Sequence, residues 1–255
     1  MKSLLSYIGK KDKLDISKYI EEYKLDIDAY CEPFSGGFSA GLNLLERGFK
    51  GRVVLNDLDF EVYNFWNTLK NNWEGLYEQV CKTLKIIELQ LDANDQIELD
   101  VVNTLLCRLR ASSNNVDKAA CEYIYRKMLT TKGIVFNIKK YKDIYTDFFI
   151  QSEAIKDVEI YNLGYKDILQ KYDNDKTLFL IDPPYYMTNI GGYYRCNSDI
   201  FSHRELSDAV KQITGKFILT CNSNDYIQEL YKNFNSEYIQ NNWAQNYSEI
   251  YFRNF

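Results

Sequence analysis

Proline, histidine and paired cysteines are scarce in this sequence. The 255 residues include 3 prolines and a single histidine, His203, and none of the 6 cysteines stands in a Cys-x-x-Cys pair. Few prolines argue against a long disordered linker, and one histidine argues against a histidine-rich metal site or a Ser-His-Asp triad. Scattered cysteines indicate reduced thiols of a cytoplasmic protein, so we expect neither a metal nor a disulfide framework. His203 lies between Ser202 and Glu205, whose capping-box spacing places it in the first turn of a helix.

Long apolar runs are also missing. No stretch approaches the roughly 20 apolar residues of a membrane span, and the first residues lack the apolar segment of a signal peptide. We therefore expect no association with a membrane. The hydrophobic content of 45% is sufficient for a sizeable core, in one large domain or in one domain with an insertion.

Acidic residues outnumber basic ones, 36 to 31, but the basic residues are concentrated locally. The formal net charge is −5, which argues weakly against a nucleic-acid partner. Residues 101–145, however, carry nine cations against three anions. Such a basic stretch in an acidic chain is typical of a phosphate-binding surface, although any single cation in it could equally lie on a solvated helical face.

Strand-like apolar runs alternate with helical patterns along most of the chain. Strands are predicted at 28–34, 52–56, 158–163, 177–181, 216–221 and 249–252, and helices at 39–47, 60–71, 165–172, 204–213 and 226–234. This alternation predicts an α/β protein with a parallel, doubly wound sheet. A short polar turn between 238–243 and 248–255 predicts a closing hairpin.

The alternation is interrupted between about residues 61 and 150. This region is polar, helix-biased and poor in strand-like runs, and strands resume directly after it. We interpret 61–150 as an inserted helical subdomain, and 1–60 with 151–255 as the main domain.

The segment Asp182-Pro183-Pro184-Tyr185 follows the apolar run 178–181. The run predicts a buried parallel strand, which the two prolines terminate because they lack N–H donors. An acid, a backbone carbonyl and an aromatic ring are thereby expected at the carboxyl edge of the sheet, where α/β proteins bind ligands. This set suits a flat molecule that carries an amino group. The alternative is a Pro-Pro turn that only ends the strand, with Tyr185 capping the core.

A second candidate site follows the first predicted strand, in residues 30–39. Gly36 and Gly37 allow the backbone to approach a ligand closely, and the helix that follows favours a carboxylate at its N-terminus. Asp57 ends the next strand about 20 residues further on, where dinucleotide folds place an acid that binds ribose hydroxyls. A complete Gly-x-Gly-x-x-Gly is missing, which argues against a nicotinamide site.

Both segments resemble motifs of the Dam-type (alpha group) DNA adenine N6-methyltransferases. Residues 182–185 are similar to the family's Asp-Pro-Pro-Tyr motif, 32–37 to its Glu-Pro-Phe-x-Gly-Gly cofactor motif, and 7–11 to its N-terminal Trp-Ala-Gly-Gly-Lys segment. Segments 201–203, 218–224 and 248–255 keep the family's order and spacing. The resemblance covers 1–60 and 151–255. It implies a Rossmann-like S-adenosylmethionine-dependent methyltransferase sheet, with 61–150 as the inserted target-recognition subdomain.

In that family the methyl group passes from S-adenosyl-L-methionine to the 6-amino group of adenine in double-stranded DNA. The resemblance implies as catalytic residues Asp182, Pro183, Pro184 and Tyr185. It implies as cofactor-binding residues Tyr7, Lys11, Glu32, Pro33, Phe34, Gly36, Gly37, Asp57, Tyr165 and Asp182. Tyr165 could equally be a helix residue buried against the sheet. Phe38 and Lys10 stand where the family has glycine, and Phe38 is expected to narrow the methionine pocket.

The expected chemistry is the activation of a poor nucleophile, because the lone pair of the adenine amino group is delocalised into the ring. Asp182 and the Pro183 carbonyl can each accept one amino hydrogen, while Tyr185 stacks on the base. A base within a duplex must first be flipped out of the stack. We expect residues 186–200 to close over the flipped base, with Arg195 on a phosphate.

Contacts to DNA are expected from basic residues of the insertion and from this loop, namely Arg126, Lys127, Lys132, Lys139, Lys140 and Arg195. The resemblance implies double-stranded DNA as the partner, with a cognate restriction enzyme where the chain serves a restriction–modification system, and no obligate protein partner. The expected location is the cytoplasm of a bacterial or phage-infected cell. Two alternatives stay open. The same fold could act on cytosine, RNA adenine or a protein amide, or the chain could be a non-catalytic DNA-binding subunit.

Overall fold

The computed structural model describes residues 1–7, 11, 14–89, 99–130, 133–134, 144–186, 201–239 and 249–255. These residues form two compact units. The helical unit comprises Met1–Leu14, Gly36–Glu46 and Phe60–Asp157. The sheet unit comprises Asp15–Ser35, Arg47–Asp59 and Val158–Phe255.

Ten helices and nine strands occur in the described part of the chain. The helices are α1 (Ile16–Glu22), α2 (Ser39–Glu46), α3 (Phe60–Asn71), α4 (Trp73–Glu88), α5 (Leu99–Ala111), α6 (Asn115–Met128), α7 (Ile144–Ala154), α8 (Tyr165–Tyr172), α9 (His203–Val210) and α10 (Asp225–Tyr231). The strands are β1 (Ala29–Glu32), β2 (Arg52–Asn56), β3 (Leu129–Thr130), β4 (Gly133–Ile134), β5 (Glu159–Tyr161), β6 (Thr177–Ile181), β7 (Lys216–Asn222), β8 (Asn235–Ile239) and β9 (Glu249–Arg253). None of the helices in these ranges is long and apolar enough to cross a bilayer.

The sheet unit is built on a sheet whose seven described strands follow the order β5-β2-β1-β6-β7-β9-β8. The first five run parallel, whereas β9 runs antiparallel to both β7 and β8. All five residues of β6 are buried, as its continuous apolar sequence requires of a strand covered on both faces. From β1 the strand order continues through β2 to one side and through β6 to the other. Ligands of open α/β sheets bind at the carboxyl ends that flank such a reversal.

The core of the sheet unit lies between these strands and helices α8, α9 and α10. Phe179, Phe217 and Leu206 belong to one cluster of buried side chains that also includes Ile168 and Ile227. Removing apolar surface from water stabilises this arrangement by about 25 cal/mol per Å². The helices therefore hold the strand ends, and with them the residues of the sheet edge, in fixed positions.

Helix α6 is central to the helical unit, where it contacts α3, α4 and α5. The Tyr123 ring stacks on Phe65 at 6.2 Å between centroids and meets Phe148 edge-on at 5.1 Å. Most of α6 is buried, including two charged side chains, Glu122 and Arg126. Of the three cations on α6, Arg126 is buried, whereas Lys118 and Lys127 are partly exposed.

The predicted α/β class with a mostly parallel sheet is confirmed. Strands β2 and β6 and helices α3 and α8 have the predicted bounds, 52–56, 177–181, 60–71 and 165–172. The prediction at 158–163 was too long. β5 ends at Tyr161 because the next two residues form hydrogen bonds that involve side chains and not the strand-to-strand pattern. The Asn162 side chain donates to the Asp57 carbonyl, and the Leu163 N–H donates to the Asn56 side chain.

The bounds around the closing hairpin also differ from the prediction. α10 ends at Tyr231 and not at 234, and β8 begins at Asn235 and not at 238. β8 is an edge strand, and four of its five residues are exposed. An exposed polar edge strand has no alternating apolar pattern from which its bounds could be predicted. Residues 240–248, on which the rest of the predicted hairpin turn falls, lie outside the described residues.

Candidate active site

The carboxyl edge of the parallel strands carries polar side chains at the strand ends. Glu32 ends β1, Asn56 ends β2, and Asp182 follows β6. Asn222 ends β7, and the antiparallel pairing of β9 places Glu249 opposite it. Since parallel strands end at one edge of a sheet, these side chains lie where α/β proteins bind their ligands.

Asp182 is held in place by a hydroxyl of the neighbouring strand. Ile181 pairs with Leu219, so Thr220 is next to Asp182, and its hydroxyl donates a hydrogen bond to Asp182 Oδ1. Thr220 is buried, whereas Asp182 is partly exposed. The carboxylate is therefore oriented at the edge of the sheet and is not enclosed in the core. Thr220 was assigned no role from the sequence, although a threonine within the predicted apolar strand 216–221 was a usable signal.

The 182–185 turn and the residue after it are fixed to the sheet unit at successive positions. The Pro184 carbonyl accepts a hydrogen bond from His203 Nε2 at 2.9 Å. The Tyr185 hydroxyl donates to Glu249 Oε1 at 2.6 Å. The N–H and C=O of Tyr186 bond the side-chain amide of Asn222 at 3.0 and 2.9 Å. A turn held in this way is preorganised, which is the condition under which polar groups stabilise a transition state most.

His203 has a larger role than the sequence indicated. It is the first residue of α9, and Ser202 caps the helix by accepting from the Glu205 N–H at 3.2 Å, as predicted. A carbonyl can only accept, so the Pro184 contact requires a proton on His203 Nε2. Burial lowers the pKa of His203 below its ordinary value, against the opposing effect of the Pro184 bond. The imidazole is therefore a neutral donor that holds the 182–185 turn in place.

Tyr185 carries a neutral hydroxyl. Burial first, and then the nearby Asp182 and Glu249 carboxylates, raise the pKa of Tyr185 well above its ordinary value. Its proton is thus retained for the bond to Glu249. The hydrogen bond to Glu249 fixes the Tyr185 ring, which remains partly exposed.

The turn after β1 is attached to the end of β2. The Ser35 hydroxyl donates to the Glu32 carbonyl at 2.9 Å and accepts from the Asn56 N–H at 3.0 Å. Asn56 also donates through its side chain to the Pro33 carbonyl at 2.9 Å. The buried Glu32 carboxylate accepts from the Tyr30 hydroxyl at 2.7 Å. Burial first, and then this carboxylate, keep the pKa of Tyr30 well above its ordinary value. The predicted cofactor residues Glu32 and Pro33 therefore belong to one rigid turn.

Asp57 lies just beyond β2 and is partly exposed. Its Oδ1 accepts from the Asp59 N–H at 2.9 Å, and its carbonyl accepts from Asn162 at 2.8 Å. The side chain is thus oriented locally at the same edge of the sheet, as expected of an acid that binds ribose hydroxyls.

Three aromatic rings form a cluster in the sheet unit, which we call the aromatic triad: Phe34, Tyr165 and Phe201. Their centroids are 5.3 to 5.8 Å apart. All three rings are partly buried against the core cluster. Each also keeps some exposed surface, so the triad offers the kind of aromatic surface on which a purine stacks. Phe201 was quoted in a motif but was not predicted as a site residue.

In the helical unit, the glycine turn before α2 is covered by Tyr7. Gly36 has φ +46, and a Cβ atom added to it would lie 2.9 Å from the Tyr7 ring. A Cβ on Gly37 would lie 3.0 Å from the Leu5 carbonyl oxygen. The Trp66 indole donates to the Gly36 carbonyl at 3.0 Å. Both glycines are therefore required by the close approach of the N-terminal segment.

The N-terminal segment is fixed by Gln151 of α7. Its side-chain amide accepts from the Leu4 N–H and donates to the Lys2 carbonyl, each at 2.9 Å. Lys11, the other predicted cofactor residue of this segment, is 7% exposed. Residues 8–10, including Lys10, lie outside the described residues.

Phe38 occupies the core of the helical unit. It has φ 49 and is 1% exposed, and its ring meets Trp66 edge-on at 6.0 Å between centroids. The ring also covers Gly41, where an added Cβ would lie 2.2 Å from it. The ring thus has packing partners of its own in this unit, and its expected effect on a methionine pocket stays a prediction.

Burial changes the set of candidate DNA contacts. The Arg126 side chain is fully buried and pairs with Glu122 at 2.7 Å, so it has no surface to offer a phosphate, and we withdraw its predicted DNA contact. The charge count could not reveal this, because burial depends on tertiary packing. Lys127 is partly exposed and remains a candidate. Lys132, Lys139, Lys140 and Arg195 lie outside the described residues, as does most of the 186–200 loop.

A family model of the D12 class N6 adenine-specific DNA methyltransferases matches residues 7–245. This range contains the glycine turn, the 182–185 turn and the whole predicted insertion. No curated protein matches the chain. With a family match over most of its length and the resembling motifs placed at the carboxyl edge of a parallel sheet and at a glycine turn, the chain belongs to the D12 class of N6 adenine-specific DNA methyltransferases.

Proposed function

We propose that this DNA adenine methyltransferase takes its methyl group from S-adenosyl-L-methionine and acts on an adenine flipped out of double-stranded DNA. The observation that supports this most is the arrangement of Asp182, oriented by Thr220 at the end of β6 beside a turn fixed by His203 and Glu249. Residues 182–185 thus bring together a carboxylate acceptor, a backbone carbonyl and an aromatic ring in one short segment.

The proposed chemistry of these residues is the activation of the amino nitrogen. Asp182 and the Pro183 carbonyl each accept one amino hydrogen of adenine, which draws the nitrogen lone pair out of conjugation with the ring. In this mechanism the bond from His203 to the Pro184 carbonyl holds the turn, and the Pro183 carbonyl is the acceptor. Tyr185 stacks on the base, a contact that contributes roughly 1–3 kcal/mol.

The described residues fit the methyl donor. When bound, S-adenosyl-L-methionine supplies a methyl group activated by a sulfonium. In the sheet unit, Asp57 would accept from its ribose hydroxyls and the aromatic triad would stack on its adenine, with Glu32 and Pro33 fixing the turn that carries Phe34. In the helical unit, the Gly36–Gly37 turn at the N-terminus of α2 would offer backbone N–H groups to a carboxylate. Tyr7 and Lys11 stay predictions as donor contacts.

Replacement of Asp182 tests the catalytic assignment. We expect Asp182→Ala to lower the rate of transfer of labelled methyl groups to DNA by a factor of at least about 100, the usual cost of a lost transition-state hydrogen bond. Binding of S-adenosylhomocysteine, measured by calorimetry, should persist in weakened form. Asp208→Ala, an exposed aspartate of α9 in the same unit, is the matched control and should transfer methyl groups at the parental rate. Near-parental turnover by Asp182→Ala would refute the role given to Asp182.

Base flipping has an optical test. A duplex with 2-aminopurine at the target adenine should become more fluorescent on binding, since a flipped base is no longer quenched by its neighbours. An unchanged emission in a complex that still methylates the unmodified duplex would argue against flipping.

A single-stranded RNA substrate tests the remaining alternative within the same chemistry. We expect methylation of double-stranded DNA and not of RNA with the same base sequence.

We further propose that 61–150 recognises the target, that Lys127 contributes a phosphate contact, and that a cognate restriction enzyme cuts the unmethylated site. Methylation-sensitive sequencing of DNA from expressing cells returns that site.

A further inference from the structure

Arg126 is an arginine with an unusual environment. Its side chain is 0% exposed, and its Nε donates to Glu122 Oε1 at 2.7 Å, one helical turn earlier on α6. Taking both charges out of water is costly. A pair of this kind is expected where the orientation of one member matters.

The guanidinium lies over the ring of Tyr7, with its central carbon 4.5 Å from the ring centroid. Cations at this distance are attracted to the face of an aromatic ring, more strongly when water is excluded. Tyr7 belongs to the segment that Gln151 anchors, so α6 and α7 together determine where this ring lies.

The other contacts of Tyr7 are with the glycine turn. Its ring occupies the space that a Cβ of Gly36 would need, and its own Cβ lies 3.0 Å from the position of one on Gly37. Trp66 holds the Gly36 carbonyl on the same turn. A continuous set of contacts therefore runs from Glu122 through Arg126 and Tyr7 to Gly36.

We propose that Arg126, oriented by Glu122, is a positioning residue that presses Tyr7 onto the Gly36–Gly37 turn and thereby sets the affinity of the enzyme for its methyl donor. The inference rests on the proposed function, because it takes this turn as part of the donor site. It assigns to an arginine of the insertion a role in donor binding in place of a contact with DNA.

The test compares two arginines that each lie over a tyrosine ring of the helical unit. Arg126→Met removes the cation over Tyr7. Arg110→Met, the matched control, removes a cation that lies 5.3 Å from the ring of Tyr125 and is partly exposed. We expect Arg126→Met to raise the Kd for S-adenosylhomocysteine and the KM for the donor about tenfold, which corresponds to about 1.4 kcal/mol. The kcat at saturating donor, the Kd for DNA and the salt dependence of DNA binding should stay at parental values, and Arg110→Met should bind the donor as the parent does.

Two further variants guard against misfolding, since Arg126→Met removes the arginine that pairs with the buried Glu122. Tyr7→Leu removes the ring and leaves the ion pair intact, and it should raise the donor KM to a similar extent. Arg126→Lys keeps the charge and should restore part of the lost affinity. With Trp73 and Trp243 replaced by Phe, emission from Trp66 should shift in Arg126→Met and in Tyr7→Leu but not in Arg110→Met.

Unchanged donor affinity in Arg126→Met and Tyr7→Leu, with a parental enzyme that binds donor normally, would overturn the inference and leave the proposed function standing. So would a loss of DNA affinity with a reduced salt dependence, the signature of a phosphate contact. Failure of the parental enzyme to bind S-adenosylhomocysteine at all would overturn the proposed function, and the inference with it.

Discussion

At the scale of single residues, the site depends on hydroxyls that donate to carboxylates. Thr220 donates to Asp182, Tyr185 to Glu249, and Tyr30 to Glu32. Hydrogen bonds to a charged group contribute about 1.5–3 kcal/mol, roughly twice the contribution of neutral pairs. Two of these three acids, Asp182 and Glu32, and one of the donors, Tyr185, were predicted from motifs. Thr220 and Tyr30 were not, because their hydroxyls meet the carboxylates only through the pairing and alternation of the strands.

The bond between Tyr185 and Glu249 can be measured by a double-mutant cycle. Tyr185→Phe and Glu249→Ala should each lower the free energy of unfolding by about 1.5–3 kcal/mol. The double variant should be about as stable as the less stable of the two single variants, because both changes remove the same hydrogen bond. Urea unfolding gives all three values.

Tyr238→Phe is the matched control for this cycle. Its exposed hydroxyl donates to Gln228 Oε1 at 3.0 Å in the same unit. Loss of a solvent-exposed bond should change stability by less than about 0.5 kcal/mol. Additive effects of Tyr185→Phe and Glu249→Ala would show that the two side chains do not interact in solution.

The neutral state of His203 predicts a pH dependence of stability. Its pKa in the folded protein lies below the ordinary value of about 6.5, so below that pH the unfolded chain binds a proton that the folded protein does not. Stability is therefore greatest above about pH 6.5 and falls as the pH is lowered toward the folded pKa. The chain has a single histidine, which makes the assignment direct.

His203→Gln keeps a donor for the Pro184 carbonyl but has no proton to gain. Between pH 7.5 and 5.5 the parental protein should lose more stability in urea unfolding than this variant does. Parallel pH profiles of the two proteins would show that His203 does not titrate in this range.

At the scale of elements, the start of α2 shows how a departure from the family pattern is accommodated. Phe38 replaces a family glycine, adopts φ 49, and places its ring against Trp66 and over Gly41. A non-glycine residue in this conformation costs about 1–2 kcal/mol. The buried ring offsets that cost only because position 41 has no side chain.

Gly41→Ala should therefore destabilise the protein, although alanine is the better helix former by about 1 kcal/mol. We expect a net loss of about 1–3 kcal/mol, the usual cost of overpacking a filled core. The double variant Phe38→Gly/Gly41→Ala should be more stable than the sum of the two single changes predicts, because the alanine then has space where the ring was. Thermal and urea unfolding give these stabilities. A Gly41→Ala protein that is more stable than its parent would contradict the packing of Phe38 on Gly41.

Element bounds were predictable where burial imposes a pattern. β6 and α8 follow from apolar periodicity, and both ends of each were placed correctly. The end of β5 and the start of β8 were not, because Asn162 bonds a neighbouring loop and β8 is an exposed edge. Neither the bond of Asn162 nor the edge position of β8 can be predicted from the local sequence.

At the scale of the whole molecule, charge along the sequence proved a poor guide to surface. Residues 101–145 carry an excess of cations, yet Arg126 within them is fully buried. The family, the sheet and the acid at its edge could be inferred from the chain because motifs and strand patterns are local. The role of Arg126 could not, since it depends on a contact between residues 7 and 126.

The central claim is that Asp182, oriented at the sheet edge by Thr220, activates the amino group of adenine. Nucleoside mass analysis of DNA from cells that express the parental chain or Asp182→Ala tests it most directly. The account predicts N6-methyladenine from the parental chain, and none from Asp182→Ala at equal expression and with a retained fold. N6-methyladenine at parental levels from Asp182→Ala, or N4-methylcytosine from the parental chain, would contradict it.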